Sequence, residues 1–218
     1  MAPGVDEPSD ASTSRLSLYL RALARCEGEG VHLVSSDELA ASAGVKPALV
    51  RKDLTQFGQF GIRGVGYEVR NLRTEITRIL GLDRDHGVII LGAGNLGMAL
   101  ADSRGFNTGG FRTLALFDQD LRKVGGRSRK GVPVRPMREL TRFAKRNKVE
   151  VAVIAVPLEA AQKALDQAVR AGVRAVLNFA PAVLRVPRDV TVRSVDLKIH
   201  LEALSYRLSR STESPSKR

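Results

Sequence analysis

The sequence predicts an α/β chain in three parts: a small helical domain closed by a glycine-rich hairpin, a doubly wound parallel-sheet domain, and a terminal amphipathic helix. Three observations predict it. Helices with sharp start and stop signals lead into Gly58 to Tyr67, where glycines alternate with apolar and aromatic residues. Beyond residue 87 come short, wholly apolar runs, Val88–Leu91, Leu114–Phe117, Val151–Val156 and Ala175–Phe179, as expected of strands buried on both faces. Helical segments, Asn95–Arg104, Met137–Lys148 and Leu158–Ala171, separate them. The boundaries expected are a disordered tail at 1–13, the first domain at 14–80, a linker at 81–86, the second domain at 87–196, the last helix at 197–210 and a second tail at 211–218.

Each element has a local reason. Leu16, Leu20 and Leu23, with Tyr19 beside them, form the apolar face of a first helix. Ser35 stands three residues before Glu38, a capping box that opens a helix over Ser36 to Ala43, and Gly44 ends it. Pro47 suits the first turn of a third helix, Pro47 to Phe57, stopped at Gly58. Helix, glycine turn, helix is the helix-turn-helix pattern, and a hairpin directly behind it is the wing of a winged-helix domain. A fourth helix is expected over Asn71 to Leu80, with Leu72, Ile76, Ile79 and Leu80 as its apolar stripe. Leu197, Leu201, Leu204 and Leu208 mark one side of the last helix.

Composition excludes several classes. With 218 residues, 43% of them hydrophobic, the chain can bury one large core or two small ones. The apolar runs are far shorter than the ~20 residues that span a bilayer. Met1 to Ser14 has no apolar core of a signal peptide, so a cytoplasmic protein is expected. Cys26 is the single cysteine, which rules out an internal disulfide or a multi-cysteine metal site. His32, His86 and His200 lack metal-ligand spacing. The formal charge is +12, and its placement is uneven: residues 1–80 hold ten basic and ten acidic side chains, residues 81–218 hold 25 and 13. The densest basic stretch runs from Arg122 to Lys148. A polyanionic partner and a solvated basic surface both fit it.

Gly92-Ala93-Gly94-Asn95-Leu96-Gly97 follows a strand and opens a helix. Gly92 permits the tight turn, Gly94 lets backbone amides approach a pyrophosphate, and Gly97 lets helix and strand pack closely, the Rossmann-like fingerprint. Asp118 ends the next strand, where a carboxylate accepts from ribose hydroxyls and repels a 2′-phosphate, so NAD(H) is expected over NADP(H). The strand ends facing a nicotinamide read Ala155-Val156-Pro157 and Asn178-Phe179-Ala180-Pro181, apolar apart from Asn178. They offer no general acid or base, so the site is expected to hold a dinucleotide rather than react it. Arg51 and Lys52 face outward on the third helix, where they can reach bases or phosphates, and Arg63 sits at the glycine-flexible wing tip, suited to a minor groove. Lys46, Gly64 and Tyr67 complete the expected DNA-binding set.

Together these stretches resemble the Rex family of redox-sensing transcriptional repressors, over roughly Leu16 to Leu208. The carrying motifs are Arg51-Lys52-Asp53-Leu54 with Phe57-Gly58, Arg63-Gly64-Val65-Gly66-Tyr67, the glycine turn, Val156-Pro157 with Ala160-Ala161-Gln162, Asn178-Phe179-Ala180-Pro181, and Val195-Asp196-Leu197. The resemblance implies a homodimer with winged-helix N-domains, Rossmann C-domains and a C-terminal helix swapped onto the partner. It implies binding to a palindromic operator and release by NADH. It also implies a switch in which Arg21 and Asp196 take part with a residue at position 103; family members commonly carry Tyr there, and this chain has Ser103. The alternatives are a DNA-binding relative with a weakened or lost NADH response, and a small NAD-dependent oxidoreductase. Thiol sensing through Cys26 is a further alternative.

Overall fold

Why the N-terminal helices stop and start where they do is written in their caps. A computed structural model of the chain describes residues 9–62 and 64–212. Helix α1 (Asp10–Gly28) is capped by Ser9 and lies over α2 (Ser36–Ala43), α3 (Pro47–Phe57) and α4 (Val69–Ile79). Both arms of the Ser35–Glu38 capping box form, at 3.2 and 2.8 Å, and Gly44 ends α2 in the left-handed conformation at φ 71°. The apolar stripes of the four helices meet in one core built on Leu16, Tyr19, Leu23, Val50, Leu54, Leu72 and Ile76. A small antiparallel sheet flanks them: β1 (Leu33–Val34), β2 (Gly61–Ile62) and β3 (Gly66–Glu68), in the order β1-β3-β2. Helix, strand, two helices and a two-stranded hairpin make a winged-helix fold.

The second unit, which in sequence begins at Asp85, is built on six parallel strands. They are β4 (His86–Leu91), β5 (Phe111–Asp118), β6 (Val134–Pro136), β7 (Val149–Ile154), β8 (Ala175–Asn178) and β9 (Thr191–Ser194). Their order is β6-β5-β4-β7-β8-β9. Alternate side chains of the central strands enter two separate cores. Ile89, Leu91, Phe117 and Ile154 pack under α6 (Leu140–Arg146) and α7 (Leu158–Arg170). Val88, Ile90, Leu116 and Val153 pack on the face that carries α5 (Asn95–Asp102). The chain leaves β4 toward β5 on one side and returns to β7 on the other. The carboxyl ends of β4 and β7 therefore border the crevice where ligands bind in such sheets. No helix among the described residues is long and apolar enough to cross a membrane.

Several boundaries differ from the sequence reading. The chain is already helical at Asp10, so the expected tail at 1–13 gives way to α1 over its last four residues, because Ser9 supplies the cap. Helix α4 runs Val69–Ile79 rather than Asn71 to Leu80, and His86, assigned to the linker, opens β4. Met137–Lys148 is a 3-10 turn, Met137–Glu139, followed by the short α6. Helix α5 stops at Asp102, before Arg104, and strand β7 ends at Ile154, so Ala155 and Val156 lie in the loop. The last helix, α8 (Leu197–Thr212), extends past residue 210; the rest of the expected C-terminal tail, 213–218, lies outside the described residues.

Candidate dinucleotide site and DNA-reading helix

The three glycines of the β4–α5 turn each answer a different steric demand. Gly92 has φ 107°, and a Cβ there would stand 2.4 Å from the Ala155 carbonyl oxygen. A Cβ on Gly97 would stand 1.9 Å from the Gly92 carbonyl oxygen, so helix and strand close up only on a bare backbone. Gly94 is the opposite case: a Cβ there would meet nothing within 4 Å. The space in front of Gly94 is open, and Gly94 is also the N-cap of α5 with no side chain capping it. First-turn N–H groups and the positive end of the helix dipole thus face an open cleft, the arrangement that binds a pyrophosphate.

Asp118 closes the other side. Asp118 is 9% exposed, and its carboxylate accepts from Ala93 N at 2.8 Å, Asp120 N at 2.8 Å and Lys123 Nζ at 3.2 Å. Burial pushes its pKa up, but the two backbone donors and the ammonium outweigh burial and hold it below the usual carboxylate range. A carboxylate has about four acceptor positions, so one remains for a ribose hydroxyl. Lys123 offsets the carboxylate's charge, which weakens the repulsion of a 2′-phosphate expected from Asp118 alone.

A cleft of about 330 Å³ joins these groups. Gly92, Gly94, Asp118, Val156 and Pro157 line it together with Lys123, Met137, Lys163 and Gln167, which sequence reasoning missed. Lys163 and Gln167 lie one turn apart on α7, and nothing in the sequence links that helix to the glycine turn. Ala93 is buried behind the turn, while Asn95 and Leu96 are exposed on the first turn of α5. The β8 end is arranged differently from expectation. Asn178 is fully buried, and its amide is occupied within the chain: Nδ2 donates to Ala180 O at 3.0 Å and to Ser194 Oγ at 3.2 Å, and Oδ1 accepts from Ala180 N at 3.0 Å. It shapes the loop instead of presenting a polar group to a ligand. Phe179 packs near Phe106, with ring centres 6.5 Å apart, on the α5 face of the sheet; Ala180 is buried and Pro181 exposed.

In the winged-helix unit, Val50 and Leu54 anchor α3 while Lys46, Arg51, Lys52 and Thr55 face outward. Arg51 donates to Ser36 Oγ at 2.9 Å. Tyr67 is half-buried at the base of the wing, and Gly64 lies at its exposed tip. Arg63 lies outside the described residues. The residue missed here is Asp53. It is fully buried on α3, where Arg15 of α1 grips both its oxygens, Nε at 2.6 Å and Nη2 at 2.7 Å, and Tyr19 donates its hydroxyl at 2.8 Å. Burial raises the Asp53 pKa, but Arg15 and Tyr19 outweigh it and set it below the usual range; burial and Asp53 together push Tyr19 up. This network fixes α3 against α1 in one position.

Of the residues expected in a switch, Arg21 is exposed on α1, and Asp196 accepts from Lys198 N at 2.9 Å at the start of α8. Ser103 is the C-cap of α5, and its carbonyl accepts from Asn107 Nδ2 at 2.9 Å.

Comparison with known proteins finds matches to both units. Residues 83–182 match the family model "CoA binding domain", and residues 9–55 match "Putative DNA-binding protein N-terminus". The redox-sensing transcriptional repressor Rex of Desulfitobacterium hafniense is 46% identical over 197 residues, covering 90% of this chain and 93% of that protein. This chain belongs to the Rex family. Among solved structures, the Rex-family repressor RSP in complex with β-NAD+ and operator DNA superposes with a TM-score of 0.89 at 38% identity, over 95% of each chain. RSP in complex with β-NADH gives a TM-score of 0.83 at 37% identity, over 95% of this chain and 97% of that one.

Proposed function

We propose that this Rex-family chain is an NADH-responsive transcriptional repressor that binds a palindromic operator as a homodimer and leaves it when NADH occupies the Gly92–Gly97 cleft. The observation that carries the reading is the cradle itself: open space at Gly94, uncapped α5 amides and a residual acceptor on Asp118, in a chain that also presents Arg51 and Lys52 on a pinned helix. Two recognition helices of a dimer enter successive major grooves at a spacing set by the dimer. The four leucines on α8, Leu197, Leu201, Leu204 and Leu208, are each more than half exposed and form an apolar seam at helical spacing. That seam supports α8 as the dimer element, swapped onto the partner.

NADH and NAD+ differ by the positive charge of the nicotinamide ring. Val156 and Pro157 at the mouth of β7 offer no countercharge, so they favour the neutral ring. The ligand shifts the protein by its difference in affinity for the two dimer states. Val156 and Pro157 themselves carry no acid or base, and the chain acts on its target by binding, in the cytoplasm where its DNA lies. The test is a fluorescence titration with NADH, NADPH and coenzyme A. Saturable binding that favours NADH is expected, and absence of saturable NADH binding refutes the reading.

A further inference from the structure

The DNA-reading unit carries no net charge, and the excess lies in the nucleotide-binding unit. Residues 122–148 alone hold eleven Lys and Arg and one acid, Glu139. A helix that needs to meet DNA does not require charge on a different unit, so this concentration calls for its own account.

The structure gives the segment a shape. An open groove of about 550 Å³ is lined by Arg135, Glu139, Arg142, Phe143, Arg146 and Asn147. Arg135 stands at its wall. It pairs with Glu139 at 3.1 Å and lies over the Phe143 ring at 5.0 Å, and its Nε is buried without a hydrogen-bond partner. Phe143 is anchored by a T-shaped contact with Phe117, ring centres 5.4 Å apart, and Arg135 lies over its ring. The single acid of the segment is therefore committed to Arg135. Arg142 and Arg146 stand one turn apart on α6, both exposed, and among the described residues neither has a carboxylate partner. Two unneutralised guanidinium groups beside a third that is preorganised make a surface for spaced phosphates.

We propose that this groove binds the phosphate backbone of duplex DNA without regard to sequence, adding a second DNA surface to the one on α3. The proposal rests on the reading of the chain as a DNA-binding repressor. It predicts that the nucleotide-binding unit supplies part of the salt-dependent affinity, and that base reading stays with Arg51 and Lys52. Duplex backbone fits better than a small anion, because the groove is open and Arg142 and Arg146, one turn apart on α6, can each meet a different phosphate.

The experiment measures binding of the full chain to a random-sequence duplex lacking any inverted repeat, as a function of salt. The variant Arg142→Gln/Arg146→Gln is compared with a charge-matched control, Arg170→Gln/Arg188→Gln, on exposed positions of the same unit. Each phosphate contact contributes about 0.9 to the slope of log affinity against log salt, so the groove variant should lose about 2 from the slope. From about 200 to about 50 mM salt, its deficit relative to wild type should grow roughly tenfold. The control should keep the wild-type slope, and both variants should keep wild-type NADH affinity. An unchanged slope in the groove variant overturns the proposal. So does an equal loss in the control, which would reduce the effect to net charge. Failure of the wild type to bind the random duplex also overturns it. The operator reading is tested separately by Arg51→Ala on the chain's own promoter region, so the two can fail independently.

Discussion

Replacing Asp53 by Asn keeps the side-chain volume and removes the charge on which Arg15 and Tyr19 converge. In the native chain, Arg15 grips the carboxylate at 2.6 and 2.7 Å, and Tyr19 donates at 2.8 Å. Removing one partner of a buried ion pair costs about 3–5 kcal/mol, because the other charge is left uncompensated. The Arg15 side chain is 21% exposed, so water relieves part of that penalty and the low end, about 3 kcal/mol, is expected. For a domain of this size each kcal/mol moves Tm by roughly 4–8 °C, so the winged-helix transition should fall by roughly 12–24 °C. Calorimetry of the full chain reads this directly, with the nucleotide-domain transition, shifted separately by NADH, as internal control. Replacing both members, Arg15→Met with Asp53→Leu, should recover much of the loss, since well-packed apolar pairs often equal buried ion pairs. The pH dependence has a definite sign. Asp53 has a depressed pKa in the folded chain, so its stabilisation is present above the unfolded carboxyl pKa, ~3.9, and is lost as pH falls through the lower folded value. The wild-type domain should lose stability steeply below about pH 4, and Asp53→Asn should be flatter there. A loss under about 1 kcal/mol, or no rescue by the apolar pair, would mean that the network does not hold α3.

Other variants separate folding from binding. Gly94→Val should fold normally, because its Cβ enters open space, yet abolish NADH binding in a fluorescence titration; wild-type affinity would place the pyrophosphate elsewhere. Gly97→Ala should lower the Tm of the nucleotide domain even without ligand, since its Cβ meets the Gly92 carbonyl at 1.9 Å; an unshifted Tm would contradict the packing role. Asp118→Ala frees Ala93 N and Lys123 and should weaken NADH by about 1.5–3 kcal/mol while narrowing the preference over NADPH, measured by the same titration. Arg51→Ala should cost about 1–3 kcal/mol on promoter DNA in a gel shift, and unchanged binding would move the base contact off α3.

Much of this was legible because the signals are local. The capping box at Ser35, Pro47 and the glycines at 44 and 58 bound α2 and α3 from within a few residues. Each glycine of the β4–α5 turn is fixed by its own turn and by adjacent elements. What was missed depends on distant partners. Asp53 falls on the Val50–Leu54–Phe57 face by helical spacing, but a charged side chain is ordinarily solvated, and the partner that lets it stay buried, Arg15, is 38 residues away. Strands β1, β6 and β9 have two to four residues and lie at sheet edges, too short to show a run. The apolar run Val151–Val156 outlasts its strand because Val156 faces the cleft. Lys123, Lys163 and Gln167 reach the cleft from elements with no motif of their own. Asn178 stands out in the sequence as the polar residue among apolar neighbours, yet it is buried with its amide bonded to Ala180 and Ser194, partners that sequence position alone does not reveal.

The central claim is that one ligand state of the Gly92–Gly97 cleft weakens DNA binding. It is tested most directly by the affinity of the full chain for a duplex covering its own promoter region, alone, with saturating NADH and with saturating NAD+, at one fixed salt concentration. The account predicts that NADH lowers the affinity by about tenfold or more, a difference of ~1.4 kcal/mol or above between the two states, while NAD+ leaves it near the ligand-free value. Equal affinity under all three conditions, in a protein that demonstrably binds NADH, would contradict it.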